Sequence, residues 1–77
     1  MYKIMVTSSQ EEQYTLAERE SYDAIKTAFL RLVTNMRVQA VQYGATIEVD
    51  EIPETGEMRL IVTKNHNVRI YQIILED

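Results

Sequence analysis

Apolar residues along this chain recur at every second position, then at every third or fourth, then at every second again. Tyr2, Ile4 and Val6 alternate with Lys3, Met5 and Thr7, which predicts a first strand with one apolar face. Ser8 to Gln13 is polar, acidic and aperiodic, and reads as a loop leading to a helix. Thr15, with Glu18 three residues on, has the form of a capping box, in which hydroxyl and carboxylate each satisfy a free backbone N–H at a helix start. Ser21 is the rival start.

From there to Tyr43 the period is helical. At about 100° per residue, Tyr22, Ile25, Phe29, Leu32, Val33, Met36, Ala40 and Tyr43 fall within roughly 60° of Phe29 on either side, which is one amphipathic face. The charges agree with the helix dipole, since Glu18, Glu20 and Asp23 stand near its start while Lys26, Arg31 and Arg37 follow. Gly44 supplies the left-handed stop.

Thr46 to Ile52 alternates again, and Pro53-Glu54-Thr55-Gly56 is a turn that places Gly where a positive φ is needed. With those four residues as the loop, Ile52 faces Glu57, Asp50 faces Arg59, Val49 faces Leu60 and Ile47 faces Val62. One face of that hairpin is then apolar and the other carries an opposite-charge pair. Lys64-Asn65-His66-Asn67 forms a second turn of two, three or four residues, and Val68 to Leu75 is a last strand apolar on both faces. Ile70 and Ile74 lie on one side, Tyr71, Ile73 and Leu75 on the other. Such a strand belongs in the middle of a sheet. The expected fold is therefore α+β, β-α-β-β-β, with one helix on one face of a four-stranded mixed sheet. Counted along the chain the strand order is 2-3-4-1, the first strand lying parallel to the last across a right-handed helical return.

The length accommodates one domain, residues 1–77, whose small size makes any further buried area matter. Without cysteine there is neither a disulfide nor a thiolate metal site, which points to a reducing cytoplasm. No apolar run is long enough for a membrane span, and Met1 to Gln10 is too short and polar for a signal peptide. A net charge of −4 argues against binding a phosphate backbone.

Candidate chemistry is sparse. His66, the one histidine, sits in a turn between asparagines with no partner at metal or triad spacing, and Ser8-Ser9 lack a base and a nucleophile elbow. Neither glycine belongs to a phosphate-binding motif, so no catalytic, cofactor or metal residue is assigned. Glu48, Asp50, Glu51, Glu54 and Glu57 gather carboxylates around one hairpin; their spacing matches no calcium loop, and they read either as a solvated edge that discourages strand pairing or as an acidic patch for a basic partner.

The helix carries a second feature. Leu30, Val38 and Val41 stand roughly 100° to 180° from the Phe29 line, outside the stripe one sheet face can cover. With Thr34 they form a candidate partner interface, joined by Ile61 and Ile73 on the sheet. The expected function is a non-enzymatic protein-binding or regulatory module, self-associating as a homodimer, that covers a surface of a larger protein. The alternatives are a structural homo-oligomeric subunit and an acidic nucleic-acid-mimicking inhibitor.

Overall fold

The computed structural model describes residues 1–52 and 54–76. Strand β1 (Tyr2–Ser8) turns back into β2 (Tyr14–Arg19), helix α1 (Tyr22–Tyr43) follows, and β3 (Thr46–Ile52), β4 (Glu57–Lys64) and β5 (Asn67–Leu75) complete the element order. The strands form one sheet in the order β2-β1-β5-β4-β3, and every pairing is antiparallel.

This corrects the four-stranded mixed sheet expected from the sequence. The difference is a single strand, β2, and it changes more than the count. Each reversal of the chain inverts direction, so inserting β2 between β1 and the helix turns the first strand's pairing with the last from parallel to antiparallel. The helical return now joins β2 to β3, the two opposite edges of the sheet.

β2 escapes pattern reading for a physical reason. Of its residues only Ala17 is even half-buried, and the register slips beside Ile4 and Met5, leaving Leu16 as an extra residue in a bulge. An exposed, bulged edge strand is held by backbone hydrogen bonds, which leave no period in the side chains. Thr15 and Glu18 lie in this strand and cap nothing. The helix starts at the rival position: Ser21 Oγ accepts from the Ala24 N–H at 3.2 Å. At the other end Gly44 takes the left-handed conformation at φ 72°, and its N–H caps the Ala40 carbonyl.

The second hairpin has the expected register, with Ile52, Asp50, Val49 and Ile47 opposite Glu57, Arg59, Leu60 and Val62. Pro53, the first residue of its turn, lies outside the described residues. The next turn is the two-residue form, because Lys64 pairs with Asn67, and Asn65 supplies a positive φ of 57°. β5 is the central strand, flanked by β1 and β4.

The helix packs on one face only. Ile25, Phe29 and Val33 are buried together with Ile4 and Val6 of β1, Met58 and Leu60 of β4, and Tyr71 and Ile73 of β5. Expected partners Ile47, Val49 and Val62 are partly buried around this cluster, as are Leu32 and Met36. The centre of the core thus lies on β1 and β5, a shift that follows from placing an additional strand outside β1.

Candidate functional site

Three surfaces remain once the core is accounted for. The first is the sheet face opposite the helix. Alternation from the buried positions puts Met5, Ile61, Ile70 and Ile74 on it, and Ile61 pairs directly with Ile70 near the sheet centre. All four are partly exposed, and among the described residues no helix or strand lies over them. The flanking cations are paired within the chain: Lys3 Nζ lies 3.6 Å from Glu18 and 3.0 Å from Glu76, and Arg59 Nη2 lies 3.4 Å from Asp50. The Glu76 hydrogen bond, with both carboxylates' charge, raises the Lys3 pKa. Arg59 Nε is buried on this face without an acceptor among the described residues.

The second surface is the outer side of α1. Leu30, Val38 and Val41 are 46, 57 and 86% exposed, with Thr34 among them donating its hydroxyl to the Leu30 carbonyl at 3.1 Å. Ile73, grouped with them from the sequence, is only 2% exposed and belongs to the core. Its neighbours Gln72 and Ile74 face outward instead, an exchange of faces that a one-residue register decides.

The third is a groove of about 280 Å³ on the helix side, between the C-terminal half of α1 and the ends of β4 and β5. The helix's last turns bury only Ala40, whose methyl leaves a trough that Met36 borders and Val62 and Tyr71 floor. Tyr43, on the expected core stripe, stands over it 61% exposed. Lys64 Nζ lies 5.3 Å from the centre of the Tyr43 ring, and Arg69 reaches Glu11 at 3.3 Å. The Tyr71 hydroxyl, then the charge of Glu11, holds Arg69 more firmly in its cationic form. Ser8 closes one side by anchoring its loop, its Oγ accepting from the N–H groups of Gln10 and Glu11 at 3.3 and 3.0 Å. Periodicity could not reveal this groove, because it depends on one small residue at an otherwise core-facing position.

The acidic hairpin does not form one patch. Glu48 and Asp50 point to the open sheet face, Glu51 to the helix side, and Glu54 and Glu57 lie around the turn. Among the described residues no three carboxylate, histidine or cysteine side chains are placed to share a metal ion, and no helix is long and apolar enough to cross a membrane. No protein-family model, no curated protein and no solved structure matches this chain.

Proposed function

We propose that this chain is a non-enzymatic protein-binding module, working in the reducing cytoplasm, whose recognition surface is the uncovered face of its sheet. The observation that supports this most is the central Ile61–Ile70 pair with Met5 and Ile74 around it, on the sheet face opposite α1. Five strands about 4.8 Å apart and some six residues long present a face of roughly 24 by 20 Å. That approaches the footprint of a small specific interface. Lys3 and Arg59 at the perimeter already have carboxylate partners, so covering the patch leaves neither cation unmatched.

A second copy is one natural partner. The pair lies near the middle of the sheet, so a two-fold axis close to it would bring the patch onto itself and stack two sheets as a sandwich. The test combines sedimentation with affinity capture, using wild type, Ile61→Glu, Ile70→Lys and the helix control Leu30→Glu, each checked for folding by circular dichroism. Self-association or a captured partner should survive Leu30→Glu and be lost in the sheet variants. Retention by both folded sheet variants would move the interface elsewhere, and loss in Leu30→Glu alone would place it on the outer side of the helix.

A further inference from the structure

We infer that the groove under the C-terminal half of α1 is a site for a small amphipathic carboxylate, bound with its apolar tail along Ala40, Val62 and Tyr71 and its carboxylate at Lys64. This site is on the opposite side of the sheet from the proposed protein-binding face and is independent of it.

The character of the lining carries the inference. The chain has a net charge of −4, yet none of the side chains lining this groove is a carboxylate, whereas two, Lys64 and Arg69, are cationic. The sign of the groove is thus opposite to that of the molecule, which selects against cationic and for anionic ligands. The two cations differ in availability. Arg69 is already matched by Glu11, while Lys64 has only the face of Tyr43 and no carboxylate within salt-bridge distance among the described residues. A charged group placed there also has the Asn67 amide beside it, since Asn67 pairs with Lys64 and uses only its side-chain oxygen, accepting from Gln10 at 3.0 Å.

Shape sets the rest. A volume of about 280 Å³ is at the small end of ligand sites, too narrow for a dinucleotide and suited to an unbranched chain or a single ring. The floor and rim are apolar, so a purely polar anion would leave the partly exposed Val62 and Met36 uncovered. The helix C-terminus nearby contributes about half a negative charge, which the full charge of Lys64 outweighs.

The test uses decanoate as the probe, below its micellar concentration, with decyltrimethylammonium as a matched cation, followed by calorimetry and by amide chemical shifts. Decanoate should bind saturably and shift the amides of Ala40, Val62 and Lys64, and the cation should bind at least about tenfold more weakly. Lys64→Gln should weaken decanoate about tenfold, the loss of one charge-assisted hydrogen bond. Ala40→Leu fills the trough and should abolish binding while the fold is kept. Absence of saturable binding, equal binding of the cation, or shifts centred on Met5, Ile61 and Ile70 would overturn the assignment. Undiminished binding by Lys64→Gln would do so whether or not Ala40→Leu folds.

Discussion

Phe29 and Leu30 are neighbours about 100° apart on one helix, and the structure gives them opposite fates: Phe29 is wholly buried, Leu30 is 46% exposed. Phe29→Ala removes a full aromatic side chain from the centre of the cluster formed with Ile4, Leu60 and Tyr71, where neighbours on three strands cannot collapse to fill the space. The transfer and cavity terms together cost about 3 to 5 kcal/mol. A domain of this size has a total margin of about 5 to 15 kcal/mol, and each kcal/mol moves its melting temperature by about 4 to 8 °C. The variant should therefore melt at least about 12 °C below wild type. Leu30→Ala removes a side chain already half in water and substitutes the best helix former, so its cost should be about 1 kcal/mol or less. Urea unfolding followed by far-ultraviolet circular dichroism measures both, with an unchanged slope showing that the same cooperative unit unfolds. A cost for Phe29→Ala below about 1 kcal/mol, or equal costs for the two variants, would refute the helix phase on which the core depends.

Other expectations follow from single contacts. Ser21→Ala should cost about 0.5 to 2 kcal/mol in the same assay, whereas Thr15→Ala, at the false capping box, should leave the helix content unchanged. Gly56 sits at φ 74° and its carbonyl accepts from the Tyr22 hydroxyl at 2.6 Å; a methyl there would also come within 3.4 Å of the Tyr22 ring, so Gly56→Ala should cost about 1 to 2 kcal/mol, and a neutral result would contradict that turn. The Lys3 pKa is raised above 10.5 by Glu76 and Glu18, so its stabilisation is present at neutral pH and is lost as pH rises through the folded-state value. The stability gap between wild type and Lys3→Met should accordingly close in strongly alkaline solution; a gap that persists there would assign the effect to packing.

What was legible in the sequence is what side-chain periodicity encodes. The face of α1, the register of β3 on β4 and the central position of the last strand all rest on apolar residues whose spacing repeats, and Gly44 announces its own conformation. β2 was hidden because its partner is a neighbouring backbone, and the Thr15 to Glu18 spacing imitates a helix start. The faces of β5 turn on the length of a two-residue loop that the sequence leaves open, so Ile73, expected at an interface, is buried, while Ile61 lies on the open face. Tyr43 lies on the apolar stripe yet is exposed, because periodicity reports which side of a helix a residue occupies, not how far the neighbouring sheet extends beneath it.

The pairing of β1 with β5 has a consequence for the order of folding. The two strands at the heart of the sheet come from residues 2–8 and 67–75, and beyond them the Glu76 N–H donates to the Met1 carbonyl at 2.9 Å. During synthesis the β1–β2 hairpin, the helix and the β3–β4 hairpin can each form locally, but they remain separate pieces until residues 67–75 leave the ribosome and close the gap between β1 and β4. Loop-closure entropy falls on that last step, making the domain a slow folder for its size. Until it is complete the apolar edge of β1 stands unpaired, the interval in which a nascent chain of this design is most exposed to misassociation.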